Sequence, residues 1–334
     1  MKSKIIFTSL LILFIFFNIG YLFGWGAWGH KHINRAAVFA LPDDMRKFYY
    51  NHIDFITEGA VVPDLRRSLL NDKSEPSRHF IDIEDYKIPL SEFPKTPDEA
   101  HAKYDEQFLN KSGYLPWYIQ TVMDKLTQAF IQKDKSGILF LSSEIAHYIG
   151  DAHMPLHTAS NYNGQLSNQK GVHALWESEI PELFGNAYDF KTDNAQYIPD
   201  IGAYTWKMIA QSHALEDSLL KSEKSVRDKF SQNEMYRKDA AGKPVLSFNQ
   251  PVFSNEYAGQ FNKSMNGMVE RQLRLSIQDV ANYWYTAWVN AGKPELLSLD
   301  DEHLTNQNRK NYKSEYRAWK NGKLLNLSKE KESD

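Results

Sequence analysis

The sequence contains no cysteine among its 334 residues. A disulfide scaffold, a zinc ribbon, an iron–sulfur cluster and a cysteine nucleophile are therefore excluded. Any metal that the protein binds must be held by histidine, aspartate, glutamate or backbone groups. The spacing of the 11 histidines is consequently the most informative feature to examine.

The sequence also lacks a large excess of charge of either sign. Its 39 lysines and arginines nearly balance 42 aspartates and glutamates, and the formal net charge is −3. Bulk electrostatics therefore gives the protein no general attraction for nucleic acid or for an anionic membrane. A content of 42% hydrophobic and 24% charged residues is typical of a globular protein. If the substrate is a polyanion, the positive charge must be local.

Alternation of apolar and polar residues, the pattern of a half-buried strand, is scarce. Only residues 244–253 could form a short hairpin, or else a loop. Apolar residues recur instead at helical spacing, which predicts an all-α fold. The predicted helices span residues 30–41, a segment starting at 43, 98–109, 114–133, 136–152, 173–184, 194–219 and 255–291. The predicted loops span residues 87–97, 158–171 and 238–254.

The longest uninterrupted apolar run lies at the N-terminus, over residues 5–17, after two lysines and before two glycines. This order is typical of an export signal, and we predict a signal peptide over 1–24. An uncleaved membrane anchor is the alternative. With no internal repeat and no linker, we predict one domain over 25–292, a polar C-terminal extension over 293–334, and a secreted or periplasmic location.

Pairs of histidine and carboxylate separated by four residues occur twice. His147 and Asp151 lie on one predicted helix, and His173 and Glu177 lie on the next. This spacing places both members of a pair on one helix face, where they can meet one ion. One such pair could be a solvated surface pair. The apolar faces beside both pairs, with His157 between them, favour a buried metal site.

The order of five motifs resembles the zinc-dependent phospholipase C and S1/P1 nuclease superfamily. The motifs are Trp25-Gly-x-x-Gly-His30, Asp64, His79-Phe-Ile-Asp, His147-x3-Asp151-x5-His157 and His173-x3-Glu177. They extend over residues 25–177, about half of the chain. The resemblance implies an all-helical domain with three zinc ions at the base of a cleft. His32 and His52 do not match it and are expected to be ordinary core or surface histidines.

The resemblance also implies which groups would hold the three ions. One zinc would be bound by Asp64, His79, His147 and Asp151, a second by His157, His173 and Glu177, and a third by His30, Asp151 and the α-amine and carbonyl of Trp25. That amine exists only after cleavage before Trp25, and its pKa of roughly 7.7–8.0 suits metal binding near neutral pH. Asp64 would orient or deprotonate the attacking water. The site would carry a charge of roughly +3, which suits a phosphate.

The resemblance leaves the substrate open. Glu177 stands where the nucleases usually carry aspartate and favours the phospholipase branch. Phe80 stands where nucleases place an aromatic ring that stacks on a base, although it could equally belong to the core. Arg67, with its neighbour Arg66, could bind phosphate oxygens or form a solvated loop pair. Aromatic residues that could meet a lipid surface are Trp117, Tyr118, Tyr162 and Trp176.

Three hypotheses follow. The first is a zinc-dependent phosphodiesterase of the phospholipase C type, which cleaves a phospholipid headgroup. The second is an S1/P1-type nuclease and 3′-nucleotidase acting on single-stranded nucleic acid. The third is a non-catalytic zinc-binding envelope protein. The absent cysteines remove the disulfides of eukaryotic nucleases in the family and favour a bacterial protein, and we expect a monomer without a stable protein partner.

Overall fold

The computed structural model describes residues 25–70, 72–247, 250–300 and 306–325. The predicted signal peptide over 1–24 lies outside these residues. The prediction of an all-α fold is confirmed. None of the helices in the described ranges has both the length and the apolar character needed to cross a bilayer.

Helices account for nearly all regular structure in the described residues. They are α1 Gly26–Ala40, α2 Asp43–Asn51, α3 Ile53–Glu58, α4 Val62–Leu69, α5 Pro97–Lys103, α6 Glu106–Ser112, α7 Leu115–Gln132, α8 Lys135–Ala152, α9 Val172–Ala174, α10 Ile180–Phe184, α11 Ile201–His213, α12 Glu216–Arg227, α13 Gln232–Met235, α14 Asn255–Ser264, α15 Met268–Asn290 and α16 Asn306–Lys320. A π-helical turn, Leu175–Glu179, joins α9 to α10. Strands β1 Leu246–Ser247 and β2 Gln250–Pro251 pair antiparallel, which favours the hairpin over the loop as the prediction for this part of the chain.

Three predicted helices are interrupted. The segment 98–109 divides at residues 104–105, because the Asp105 carboxylate accepts a hydrogen bond from the backbone N–H of Phe108 at 2.7 Å and begins α6. The segment 255–291 divides between α14 and α15, where Asn266 and Gly267 have φ values of 50° and 75°. Left-handed residues cannot continue an α-helix. The segment 194–219 begins at Ile201 and divides between α11 and α12.

Helix α16 lies inside the segment predicted as a polar extension. It packs against α1, and Glu315 on α16 pairs with Arg35 on α1 at 2.7 Å. The indole of Trp319 is buried and donates a hydrogen bond to the Phe190 carbonyl at 3.0 Å. The aromatic residues Tyr312, Tyr316 and Trp319 recur at helical spacing, which is the local signal for this helix.

The centre of the fold consists of α1, α7, α8 and α15, which pack against one another. The apolar stripe predicted on α15 is buried, including Leu273, Ile277 and Trp284. Trp284 stacks on Tyr49 with ring centroids 4.9 Å apart. Because α8 lies in the middle of these helices, the polar residues in its last two turns are enclosed by the core.

Candidate metal centre

The eight side chains predicted as metal ligands come from separate elements and meet in the interior. They are His30 from α1, Asp64 from α4, His79 after the turn Pro76–Arg78, His147 and Asp151 from α8, His157 from the turn Pro155–Thr158, His173 from α9 and Glu177 from the π-helical turn. Each of them is at most 6% exposed. Irregular π-turns inside helices occur frequently at functional sites.

One group contains Asp64, His79 and His147. The Nδ1 atom of His79 lies 3.1 Å from Nε2 of His147 and 3.8 Å from Oδ1 of Asp64. Nε2 of His147 lies 3.9 Å from the same Asp64 oxygen. Two nitrogens and a carboxylate oxygen therefore face a common point.

A second group contains His157, His173 and Glu177. The two Nε2 atoms lie 3.2 Å apart. Oε2 of Glu177 lies 3.4 Å from Nε2 of His157 and 3.0 Å from Nε2 of His173. The four-residue spacing of His173 and Glu177 thus does bring both side chains to one point.

A third group contains His30, His147 and Asp151. Nε2 of His30 lies 3.4 Å from Oδ1 of Asp151, and the His30 ring stacks on His147 at 3.8 Å between centroids. Trp25 is buried next to them, and its indole donates a hydrogen bond to the Gly150 carbonyl at 2.6 Å. A Cβ at Gly150 would lie 3.1 Å from His30 and 3.3 Å from Trp25, so a residue without a side chain suits this contact.

The Asp151 carboxylate lies between all three groups. Its Oδ2 is 2.9 Å from Nδ1 of His79 and 3.3 Å from Nε2 of His147. Its Oδ1 lies 3.4 Å from Nε2 of His30 and 3.9 Å from Nδ1 of His157, the nitrogen bound to the His79 carbonyl. A single carboxylate in this position can be shared by two neighbouring ions.

Three of the histidines are oriented by backbone carbonyls. Nδ1 of His147 lies 2.8 Å from the Ala60 oxygen, Nδ1 of His157 lies 2.6 Å from the His79 oxygen, and Nδ1 of His173 lies 2.8 Å from the Tyr162 oxygen. A carbonyl only accepts, so Nδ1 carries the proton in each ring. The Nε2 atoms therefore face the neighbouring carboxylates, where each can bind a metal ion or a second proton.

The donor set fits a metal. Several of its buried atoms have no hydrogen-bond partner among the described residues, namely both nitrogens of His30, both oxygens of Asp64, Oδ1 of Asp151 and Oε2 of Glu177. Leaving such an atom unpaired costs about 1–3 kcal/mol. A divalent cation that prefers nitrogen and oxygen ligands would satisfy one nitrogen of His30 and these carboxylate oxygens.

In the metal-free protein, protonated histidines balance the negative charge of the buried carboxylates. Burial alone would lower the pKa of His147, but the charges of Asp151 and Asp64 raise it to about 9. Burial would likewise lower the pKa of His157, but Asp151 and Glu177 raise it to about 9. Burial lowers the pKa of His30 to about 4 and raises that of Asp64 to about 6. Metal binding would therefore displace protons from His147 and His157.

Glu75 is a buried neighbour of this site that the sequence analysis missed. Its Oε1 lies 3.3 Å from Nε2 of His79. Its carboxylate also accepts a hydrogen bond from the Tyr148 hydroxyl and pairs with Arg66 at 3.0 Å and Arg78 at 2.8 Å. Glu75 precedes His79 by four residues, which is the spacing that singled out the other two pairs.

The two arginines after Asp64 differ in their surroundings. Arg66 pairs with Glu75 at 3.0 Å and with Glu144 at 2.8 Å, so its charge is already neutralised. Arg67 is half-buried, its charge lowers the pKa of Asp64, and within the described ranges it makes no ion pair. Of the two, Arg67 is the one whose charge remains available to a phosphate.

Of the four aromatic residues that were candidates for a lipid surface, three lie in the core. Trp117 and Trp176 are fully buried and Tyr118 is 9% exposed, whereas Tyr162 is 42% exposed. Phe80 is half-buried and does not belong to the hydrophobic core formed by the described residues. Its ring is therefore not enclosed by that core.

The histidines set aside by the sequence analysis have ordinary partners. Nδ1 of His32 lies 2.6 Å from the Trp28 carbonyl, and Nε2 of His52 lies 2.7 Å from Asp300. A fourth group of possible ligand atoms, contributed by Glu84, His213 and Glu216, lies at the surface with its side chains exposed or half-buried.

The model of the S1/P1 nuclease family matches residues 25–276, which include all eight side chains predicted as metal ligands. The chain belongs to the S1/P1 nuclease family. This family is part of the phospholipase C/P1 nuclease superfamily, so the resemblance found in the motifs is confirmed. S1/P1 nucleases are hydrolases of phosphodiester bonds and are zinc-dependent as a family.

A curated protein also shows similarity to this S1/P1 nuclease family member. It is a probable serine protease of Bradyrhizobium tropiciagri, 27% identical over 235 residues. The matched region covers 66% of this chain and 28% of that protein. The chain therefore spans little more than a quarter of the length of the relative.

Proposed function

We propose that the protein is a zinc-dependent phosphodiesterase that hydrolyses single-stranded nucleic acid and 3′-nucleotides. The observation that carries the proposal is the junction of three buried ligand groups at Asp151, inside the region matched by the S1/P1 nuclease family. Nucleic acid replaces phospholipid as the first candidate substrate, because most of the aromatic residues that could have met a lipid surface are buried.

The ligand assignment follows the three groups. One zinc would be held by Asp64, His79, His147 and Asp151, a second by His157, His173 and Glu177, and a third by His30, Asp151 and the amine of Trp25. When bound, zinc lowers the pKa of its water towards about 7 and stabilises negative charge on phosphate oxygens. Proton transfer, phosphate binding and base recognition are assigned to the protein's own side chains.

Asp64 is the proposed proton acceptor. In the metal-free protein, burial raises the pKa of the Asp64 carboxyl to about 6. Both of its oxygens lack a hydrogen-bond partner among the described residues, so one oxygen can bind zinc and the other can orient a water and take its proton. Arg67 lies close enough to lower the pKa of Asp64 and would hold the non-bridging phosphate oxygens.

Phe80 would recognise the base. It directly follows His79 in the chain, and stacking of a base on an aromatic ring tolerates any sequence. Such a contact contributes about 1–3 kcal/mol per base, which corresponds to roughly 5- to 150-fold in affinity. The stacking requires an unpaired base, and this favours single strands over duplexes.

A phospholipid headgroup is the second candidate substrate. The resemblance of Glu177 to the phospholipase branch supports it. Leu69 and Leu70, which end the helix that carries Asp64, are 62% and 75% exposed, and Leu166 in the loop before His173 is 75% exposed. Exposed leucines on two segments next to the site could contact a membrane.

Export and processing are also part of the proposal. Cleavage before Trp25 would create the amine that completes the third ligand set, and the buried position of Trp25 beside His30 supports this assignment. The protein would then act outside the cytoplasm, where single-stranded nucleic acid or lipid can be encountered.

The decisive experiment compares substrates side by side. Zinc-loaded protein beginning at Trp25 is given single-stranded DNA, a 3′-nucleotide, a chromogenic phosphodiester and phosphatidylcholine vesicles. We expect the nucleic-acid substrates to be hydrolysed fastest, with activity lost to a chelator and restored by zinc. Faster hydrolysis of phosphatidylcholine would favour the phospholipase, and no turnover of any substrate would refute both enzymatic functions.

A pair of phenylalanine variants tests the recognition of the base. Phe80→Leu should raise KM for single-stranded DNA about tenfold and leave hydrolysis of the chromogenic diester unchanged. Phe140→Leu is the matched control, because Phe140 is a 42% exposed phenylalanine on α8 outside the metal centre. Equal effects of the two substitutions on KM would contradict the role of Phe80.

A further inference from the structure

His79 is oriented differently from the three histidines held by carbonyls. It presents Nδ1 to the metal centre, at 2.9 Å from Asp151 and 3.1 Å from His147. An imidazole that offers the Nδ1 lone pair must carry its proton on Nε2. This is the less common choice within the site, so something must stabilise it.

The group that faces Nε2 of His79 is the Glu75 carboxylate, at 3.3 Å. This nitrogen makes no hydrogen bond among the described residues of the metal-free protein, so Glu75 is a charged neighbour placed to accept one when Nε2 carries the proton. Glu75 is completely buried, and a buried carboxylate needs compensating charge. The nearby arginines, Arg66 and Arg78, supply it, and the Tyr148 hydroxyl donates to the same carboxylate.

We infer that Glu75 is a positioning residue that holds the proton on Nε2 of His79 and thereby directs Nδ1 to the metal. The inference rests on the metal binding in the proposed function but not on the choice of substrate. A carboxylate behind a metal-bound histidine fixes its tautomer and ring orientation and raises its basicity. Loss of such a partner typically lowers metal affinity 10- to 100-fold.

The neighbouring charges explain how Glu75 can stay ionised inside the protein. Arg66 pairs with both Glu75 and Glu144, and Arg78 pairs with Glu75 and with Asp72 at 3.7 Å. The pairs make the buried region close to neutral. Arg66, which the sequence analysis considered for phosphate binding, therefore serves the support of the metal centre.

The structure offers a matched control for this inference. Glu144 contacts the same arginine as Glu75, and it is nearly as buried. However, Glu144 is not among the groups that contact His79. Glu144→Gln therefore removes the same charge next to Arg66 without changing the partner of the histidine.

The first measurement is the Nε2–H proton of His79 in zinc-loaded protein, read from ¹H–¹⁵N correlations. We expect a deshielded, slowly exchanging Nε2–H in the wild type and in Glu144→Gln, and an upfield shift with faster exchange in Glu75→Ala. An unchanged Nε2–H signal in Glu75→Ala would overturn the inference, whatever the protein hydrolyses.

The second measurement is zinc affinity by competition with a chelator. Glu75→Ala should weaken the tightest affected site 10- to 100-fold. Glu75→Gln should weaken it less, because its amide oxygen still accepts a hydrogen bond, and Glu144→Gln should change it less than threefold. If Glu75→Ala fails to fold, the comparison of the two glutamine variants decides, and equal affinities would overturn the inference. A wild type without zinc binding would instead refute the proposed function.

Discussion

Raising the pH from 6.5 to 9.5 should destabilise the metal-free protein but not the zinc-loaded protein. In the fold, Asp151 and its neighbours hold the pKa of His147 and His157 at about 9, against the effect of burial. In the unfolded chain the pKa of a histidine is about 6.5. Because the folded value is the higher one, this stabilisation is complete below pH 6.5 and is lost as the pH rises through 9.

The magnitude follows from these values. A rise in pKa from 6.5 to about 9 corresponds to about 3 kcal/mol for one histidine. Both histidines interact with Asp151, so the combined loss is smaller than twice this amount and is about 3–5 kcal/mol. For a chain of this size, that loss lowers the Tm by about 5–8 °C.

The assay is calorimetric melting at several pH values, with a chelator in one series and bound zinc in the other. In the zinc-loaded protein both histidines are already deprotonated, so its Tm should not show the fall between pH 7 and 9.5. His157→Asn should reduce the fall, and His52→Asn, outside the metal centre, should not. A metal-free Tm that is constant over this range, or an equal fall with zinc bound, would refute the reasoning.

Three further predictions concern other parts of the molecule. Asp151→Asn should lower the zinc content by at least one equivalent in elemental analysis. Asp279→Asn, which changes a buried aspartate paired with His153 outside the ligand groups, should not lower it. Equal zinc content in both variants would contradict the shared role of Asp151. Glu315→Ala should lower the free energy of unfolding by about 3 kcal/mol in denaturant titration, because among the described residues Arg35 then retains only the exposed carboxylate of Asp54; a change under 1 kcal/mol would contradict this. An extra residue before Trp25 should reduce zinc binding by one ion in titration, and full stoichiometry would exclude the amine as a ligand.

The helical architecture could be predicted because helical periodicity is a local property. The long apolar stripe of α15 and the helix carrying His147 both followed from spacing alone. The helix ends were less predictable, since a left-handed residue such as Asn266 is visible only in the backbone. Helix α16 was missed because its sequence is polar on average and its aromatic residues are buried by packing on α1.

The eight metal-binding candidates could be proposed from motif order and four-residue spacing, and the structure brings all eight together. The same spacing would have identified Glu75 with His79, but that pair lies in a turn and not on a predicted helix. The sequence could not place the candidate aromatic residues, because Trp117 and Trp176 lie on helices whose surroundings are decided by the neighbouring elements.

The sequence by itself determined the all-α class, the exclusion of thiolate ligands, and the residue types available to a metal. These properties depend on composition and on contacts within one helical turn. Only the tertiary structure decided that Asp151 joins three groups, that Arg66 neutralises Glu75 and leaves Arg67 available, and which nitrogen of His79 faces the metal centre. Each of these depends on side chains that are distant in sequence and meet only when the helices pack.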